Sequence, residues 1–363
     1  MKTESQKPII AMDLSTQGQG GGPYMSTIRI MSSSLSKKYN FVKINYDPSM
    51  GRGISVRRIL DLRRQIIKLN PDIVHFTGLS LSGFHLAAAC FLSGVTKTAV
   101  TIRGTSTDAI DFHPIKKIIL ANILEPFTLL ISKKIVGVSD FVTFTKITKM
   151  FHYKIFGTIY NFPPEHEQVL NRDECRKNLL LGNNDIVISS VGRINREKGY
   201  HIFAEAIKYF SSNNSIKFII VGDGEYLEEM KKIIISQVES GQVRFLGYQD
   251  DVASINLAAD IFVLPTLHET LSNALLEASV AELALIASDT GGVPEIVENN
   301  YNGILIPPGD SEALVGAIQK LLDSPSLIKK YGRNSLLKVN NKFSRKNVEK
   351  KLELLYSQLL SLK

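Results

Sequence analysis

The chain has 363 residues, 44% of them hydrophobic and 21% charged, which excludes a disordered or low-complexity polypeptide and provides apolar material for two domains. No apolar run reaches the roughly 18 residues of a transmembrane helix, no signal peptide is recognisable, and Cys90 and Cys175 stand in no metal or redox motif, so a cytoplasmic protein with reduced thiols is expected. The net charge of +8 is uneven: residues 1–160 hold 21 Lys and Arg against 9 Asp and Glu, and the remainder hold 22 against 26. Clusters at Arg52/Arg57/Arg58/Arg63/Arg64, Lys116/Lys117 and Lys133/Lys134 suggest peripheral contact with anionic lipid at the inner face of the membrane, with solvated helix faces as the plain alternative. No nucleic-acid recognition module is present, and nucleic acid is not an expected partner.

In chain order, residues 8–14 (PIIAMDL) read as a buried strand. They run into a turn rich in glycine, including Gly20 and Gly21, and then a helix over 24–38. Strand, glycine-rich turn and helix let backbone amides approach a phosphate or sugar. The turn is not a dinucleotide fingerprint, because Pro23 stands where the third glycine should be. A strand over 40–45 and a basic helix over 54–69 follow, then a strand over 71–76 that ends at His75. A small-residue helix (85–92) leads to a strand over 98–102 ending at Arg103, and a further strand (134–138) ends at Ser139. Ligands of doubly wound sheets sit at the C-terminal ends of strands, which makes Arg103, His75 and Ser139 candidates; His75 reads equally well as a core histidine.

A proline-rich break at 162–167 marks a domain boundary, after which the strand–helix alternation restarts. Strands over 185–191, 217–221 and 243–246 end respectively in a loop carrying Arg193 and Lys198, in Gly222, and in Gly247 and Tyr248. The expected division is 1–165 together with a returning helix at 344–363, and 166–343. That final segment carries a helical apolar stripe at Val348, Leu352, Leu355, Leu359 and Leu362.

The second half is organised around residues 264–295. A buried strand (259–264) opens into a loop, a helix over 272–280, a second strand (283–287) and the glycine pair Gly291–Gly292. Glu269 precedes the helix and Glu277 lies two turns inside it, so both reach one ligand only if it lies across the helix N-terminus, where amides and dipole favour an anion. Arg193 and Lys198 supply two cations to hold a diphosphate and neutralise charge growing on it as a leaving group. Glu269 suits sugar hydroxyls and Glu277 a ribose diol.

The motifs VGRINREKG (191–199), IIVGDGE (219–225), FLGY (245–248), the pair Glu269 and Glu277 with seven residues between them, and SDTGGVPEIV (288–297) resemble glycosyltransferase family 4, the retaining enzymes of GT-B fold. The resemblance is close over residues 185–322 and looser before them. It implies an α/β protein of two doubly wound Rossmann-like domains facing a cleft, with the last helix crossing back to the first domain. It also implies that Arg193 and Lys198 bind the donor diphosphate, Glu269 the sugar, Glu277 the ribose, and amides around Thr270, Leu271, Ser272 and Asn273 the phosphates. Gly20, Gly21, Arg103, Gly222, Gly247 and Tyr248 complete the expected donor site. Arg103 departs from the pattern, because many members carry histidine there and a guanidinium cannot serve as a base.

The expected activity is transfer of a sugar from a nucleotide sugar, with a UDP-sugar favoured, to a saccharide or lipid-linked saccharide in cell-surface polysaccharide synthesis. No D-x-D metal motif is convincing, so no metal or other cofactor is expected. A nucleotide-sugar epimerase and a non-catalytic sugar-nucleotide binder are the alternatives. The first needs acid/base carboxylates in the cleft, and residues 1–160 are poor in them, which counts against it; the intact Arg193, Lys198, Glu269 and Glu277 argue against the second.

Overall fold

The computed structural model of the chain describes residues 7–15, 21–51, 53–107, 113–164 and 171–362. The chain divides into two units: one runs up to Phe162 and resumes at Arg345, and the other is Pro163–Ser344.

The first unit is built on six strands, β1 (Ile9–Ser15), β2 (Asn40–Tyr46), β3 (Ile73–Thr77), β4 (Thr98–Ile102), β5 (Lys134–Gly137) and β6 (Ile155–Thr158). All pairs are parallel, in the order β2-β1-β3-β4-β5-β6. Its central strands are buried along almost their whole length, as continuous apolar runs covered by helices on both faces must be. The second unit repeats the plan with β7 (Ile186–Val191), β8 (Ile216–Val221), β9 (Val243–Gly247), β10 (Ile261–Leu264), β11 (Ala284–Ser288) and β12 (Gly303–Ile306), in the order β12-β11-β10-β7-β8-β9. In each sheet the chain winds outwards in both directions from a central pair, β1 and β3 in the first and β7 and β10 in the second.

Four elements differ from the sequence expectation. The helix foreseen over 24–38 is Gly22–Met31 followed by a 3-10 turn, Ser34–Lys37. The hydroxyls of Ser32 and Ser33 donate back to the carbonyls of Ile28 and Ile30, offering the backbone a local alternative to continued helix. Strand β6 went unforeseen because Gly157 interrupts its short apolar run, and its pairing with β5 carries a register shift. A helix spanning residues 114–131 was also unforeseen. His75 lies in the middle of β3 rather than at its end.

The basic cluster on the second helix, Val56–Leu69, is not all exposed surface. Arg58 is 4% exposed: its Nη2 donates to the carbonyls of Pro48 and Gly51, its Nε to that of Asp47, and its Nη1 to the Tyr46 hydroxyl. It organises the loop after β2. Arg52 lies outside the described residues.

The last helix, Arg345–Leu360, belongs to the first unit. Val348, Leu352, Leu355 and Leu359 are buried, as their spacing predicts, and so is Tyr356. The Tyr356 hydroxyl lies 2.9 Å from Nδ1 of His75, whose Nε2 lies 2.7 Å from the Thr101 hydroxyl on β4. Both ring nitrogens are thus engaged in the core, and the Tyr39 ring meets Tyr356 edge-on at 5.3 Å. At the helix periphery, Lys97 donates to the carbonyl of Leu360, and Glu349 accepts from the amide of Ser34.

Two predictions follow from this packing. Leu355→Ala should cost about 2–5 kcal/mol in urea unfolding, whereas Leu354→Ala, at a neighbouring position 52% exposed, should stay within about 0.5 kcal/mol. Burial, reinforced by Arg103, pushes the His75 imidazole down to about 3 from its ordinary 6.5. The unfolded chain therefore binds a proton that the folded one refuses, and stability present above about pH 6.5 falls as the pH drops towards 3. Replacing His75 by Gln should flatten this part of the stability–pH curve; an unchanged acid slope would contradict the assignment.

Candidate functional site

β7 and β10 are parallel neighbours, and the chain proceeds in opposite directions from them, so their C-terminal ends form the switch point of the second sheet. In open α/β sheets a crevice for ligands opens there. The loop after β7 carries Arg193 and Lys198 and enters the helix Tyr200–Tyr209; the loop after β10 carries Glu269 and enters the helix Asn273–Val280.

Each loop is shaped by its own residues. The Asn195 side-chain oxygen accepts from the Lys198 amide at 2.9 Å, which tightens the first loop. The Glu197 carbonyl accepts from the Leu267 amide at 2.8 Å and ties the first loop to the second. Two glycines make the approach closer than any other residue allows. A Cβ on Gly199 (φ +75°) would lie 1.8 Å from the Pro265 carbonyl oxygen, and one on Gly291 (φ +56°) would lie 1.7 Å from that of Glu269. The Gly292 amide donates to the same Glu269 carbonyl at 3.0 Å. Three loops, after β7, β10 and β11, therefore meet at Glu269.

The result is an ion pair at the switch point: Lys198 Nζ lies 2.8 Å from Glu269 Oε2, while Oε1 accepts from the Thr270 amide at 3.1 Å. The side chains are 25% and 13% exposed, enough to present the ammonium and the carboxylate to a ligand. Arg193 is exposed, and its side chain has no hydrogen-bond or ion-pair partner among the described residues. At the foot of the loop the Gly222 amide donates to the Gly247 carbonyl at 2.8 Å, bringing the ends of β8 and β9 together, and Tyr248 beside them is 63% exposed.

Among residues 270–273 the side chains are largely committed elsewhere. Leu271 is buried, and the Ser272 hydroxyl caps the helix by accepting from the Leu275 amide. What this stretch can offer an anion is backbone amide and helix dipole, with the Asn273 and Thr270 side chains half-buried. Glu277 is half-buried in the second turn of the helix.

The candidates of the first unit do not form a comparable cluster. Gly20 lies outside the described residues. Gly21 is the N-cap of the helix Gly22–Met31. Ser139 is fully buried and its hydroxyl accepts from the Val142 amide, so it caps a helical turn rather than facing a ligand. Arg103, just beyond β4, donates from Nη1 to the Asn161 side chain at 3.1 Å, and its buried Nε has no hydrogen-bond partner among the described residues. Burial pushes its guanidinium down to about 10, against the pull of Asp13. Arg103, His75 and Thr101 line a cavity of about 20 Å³, room for about one water.

Asp13 was passed over in the sequence. It lies near the end of β1, and its carboxylate accepts from the amide and the hydroxyl of Thr77 on β3, across the switch point of the first sheet. Burial pushes it up to about 6. The available signal was a carboxylate inside an otherwise apolar strand. For Asn195 the signal was its place three residues before Lys198 in a turn, where Asx side chains bond forward to the backbone.

Residues 171–337 match the family described as Glycosyl transferases group 1. The chain is similar to the UDP-Gal:alpha-D-GlcNAc-diphosphoundecaprenol alpha-1,3-galactosyltransferase of Escherichia coli, 27% identical over 310 residues that cover 82% of this chain and 79% of the relative. It is also similar to the capsular polysaccharide biosynthesis glycosyltransferase CapM of Staphylococcus aureus, 26% identical over 303 residues, covering 81% and 78%. Among solved structures it resembles Anabaena HepE in complex with UDP and glucose, with a TM-score of 0.78 at 16% identity over 97% of this chain and 100% of that one. At that identity the likeness is one of fold.

The loop geometry makes one substitution diagnostic. Gly291→Ala drives a Cβ into the Glu269 carbonyl and should weaken nucleotide-sugar binding at least about tenfold as Glu269 is displaced, together with a lowered melting temperature. Gly309→Ala, at φ +87° with open space around it, should cost only about 1 kcal/mol and leave binding intact. Equal effects at the two sites, by calorimetry and thermal melting, would contradict the contact.

Proposed function

We propose a donor, an acceptor class and a stereochemical course for this chain, a glycosyltransferase of GT-B fold whose residues 171–337 form a group 1 domain. The donor is a UDP-sugar, the acceptor is a saccharide or lipid-linked saccharide of a cell-surface polysaccharide, and transfer retains the anomeric configuration. The observation that carries the reading is the Lys198–Glu269 ion pair at the switch point of the second sheet. The UDP and glucose held by the HepE structure, and the UDP-Gal and diphosphoundecaprenol in the name of the Escherichia coli relative, support the donor and the acceptor class.

In this reading the diphosphate lies against the N-terminus of the helix Asn273–Val280, with Lys198 and Arg193 beside it. Glu269 accepts hydrogen bonds from hydroxyls of the sugar, and Glu277 does the same for the ribose. As the bond from the anomeric carbon to the diphosphate breaks, negative charge grows on the leaving oxygens, where the two cations stabilise it. The acceptor oxygen attacks from the face the diphosphate leaves, and its proton passes to a diphosphate oxygen. The C–O bond formed replaces the C–O bond lost, and no protein nucleophile is needed. Because Arg193 and Lys198 supply the positive charge, the step runs without a metal ion.

Incubation with UDP-sugars and acceptor should release UDP and give a product of the donor's anomeric configuration, at a rate unchanged by EDTA. An inverted product would sink the proposed course, and release of an epimerised nucleotide sugar without acceptor would point to an epimerase instead. UDP at 100 times its dissociation constant should stabilise the protein by about 2.7 kcal/mol, and more than GDP at the same concentration. Lys198→Met should abolish most of that stabilisation, for UDP and GDP alike, and lower kcat/KM by about 100-fold or more.

A further inference from the structure

Asp13 and Arg103 stand at the C-terminal edge of the first sheet, one on β1 and the other just beyond β4. Each feels the charge of the other, yet no ion pair joins them. Asp13, 8% exposed, spends both oxygens on Thr77, accepting from its amide at 2.8 Å and from its hydroxyl at 3.0 Å. Arg103 spends Nη1 on the Asn161 side chain. That leaves Nε and Nη2, the two donors along one edge of the guanidinium, without a hydrogen-bond partner among the described residues. Nε is sealed from solvent, but Arg103 as a whole is only half-buried, so the edge is reached at Nη2. The loop that carries Arg103 is held from below, where the buried Glu125 carboxylate accepts from the Ser106 amide at 2.7 Å.

Two parallel N–H donors match two oxygens of a phosphate, and a charged donor left without an acceptor is costly until an anion supplies one. The adjoining cavity of about 20 Å³ takes a water but no phosphate, so the anion comes to the guanidinium from the solvent side. In the reading above, the donor diphosphate already has Arg193 and Lys198 as its cations. A guanidinium in the first unit then serves a second anion, and a saccharide joined to lipid through a diphosphate carries one. The balance of 21 Lys and Arg against 9 Asp and Glu in residues 1–160 favours such an acceptor over a neutral one.

Asp13 makes the site sensitive to protons. An ionised carboxylate competes with an incoming anion for Arg103, and a protonated one does not. Burial pushes Asp13 up to about 6, against the pull of Thr77 and Arg103. The groups around it keep one charge state between about pH 5 and 8. Burial holds His75 at about 3 and Cys90 at about 12, and it raises the Tyr46 phenol, while Arg103 at about 10 stays charged. An anion on Arg103 adds negative charge beside Asp13 and favours its protonated form, so binding draws in a proton and is tighter at low pH. We propose that Arg103 receives a diphosphate oxygen of the acceptor and that Asp13 takes up a proton from solvent as it does. The proposal rests on the reading of the acceptor as a lipid-linked saccharide.

Calorimetry on the full chain saturated with UDP tests it, with geranyl methyl diphosphate as the probe and geraniol as its uncharged counterpart. The probe is esterified at both ends, so its charge is fixed where a phosphate monoester titrates, about pH 6. It should bind, with geraniol at least about tenfold weaker. Affinity should be at least about fivefold higher at pH 5 than at pH 7.5, and buffers of different ionisation enthalpy should report proton uptake by the protein. Asp13→Asn keeps both contacts with Thr77, its oxygen accepting from the amide and its NH2 donating to the hydroxyl, and should bind equally at both pH values. Arg103→Gln should weaken the probe at least about twentyfold, and Arg103→Lys, which keeps the charge without the fork, about fivefold, both with an unchanged UDP melting shift. Equal binding by Arg103→Gln, or an affinity of the native chain that ignores pH, would overturn the proposal. Loss of the UDP melting shift in Arg103→Lys would overturn it too, by giving Arg103 to the donor. A UDP melting shift without probe binding defeats this proposal alone. No UDP melting shift in the native chain defeats the donor reading, and probe binding, then measured without UDP, still decides this one.

Discussion

Backbone contact between loops is the constraint on which the second unit's site depends. The carbonyls of Pro265 and Glu269 are approached so closely by Gly199 and Gly291 that no side chain fits between. The contact fixes the Glu269 backbone from two directions, through the Gly291 approach and the Gly292 hydrogen bond. Once that backbone is fixed, Lys198, itself held by Asn195, can meet the carboxylate at 2.8 Å. The ion pair follows from loop shape rather than producing it. For a largely buried pair the cost of desolvating both charges offsets their attraction, so the net contribution to stability is small. Its value here is orientation: a cation and a carboxylate held at the mouth of a parallel sheet with a helix N-terminus beside them.

The two units use the same architecture in different ways. At the switch point of the second sheet the side chains remain accessible. At that of the first, the polar groups are turned inward and pair with one another. Asp13 binds Thr77, and Arg103 binds Asn161. His75 is sealed between Tyr356 and Thr101. Low dielectric shifts their titration, with Asp13 pushed up, and His75 and Arg103 pushed down. Burial of His75 is the work of the last helix, since Tyr356 lies 281 residues away in sequence.

Much of this was legible in the sequence, for identifiable reasons. Strands such as IFVL and the stripe Val348–Leu352–Leu355–Leu359 declare themselves through runs and spacing that burial requires. Lys198 and Glu269 could be named because charged residues just past apolar strands stand at the ligand end of a parallel sheet. What stayed hidden depends on partners that composition and spacing do not name, whether distant in the chain or backbone groups nearby. Nothing near His75 shows that Tyr356 will cap it, and nothing near Arg58 shows that three carbonyls will claim its guanidinium. Ser139 looked available only because its capping partner, the Val142 amide, is a backbone group that composition cannot reveal. The helix at 114–131 escaped because its apolar residues face both inwards and outwards, which erases the one-sided periodicity that betrays an ordinary surface helix.

The placement of the helix Arg345–Leu360 also orders events during synthesis. The strands of the first unit are translated before the second unit, yet their core lacks Val348, Leu352, Leu355, Tyr356 and Leu359 until the second unit has been made. The second unit, contained entirely in Pro163–Ser344, is complete before them. Domains generally fold as units as they emerge from the ribosome. Here the unit whose strands emerge first is the last to close, and its apolar face stays uncovered while the whole of the second unit is being made.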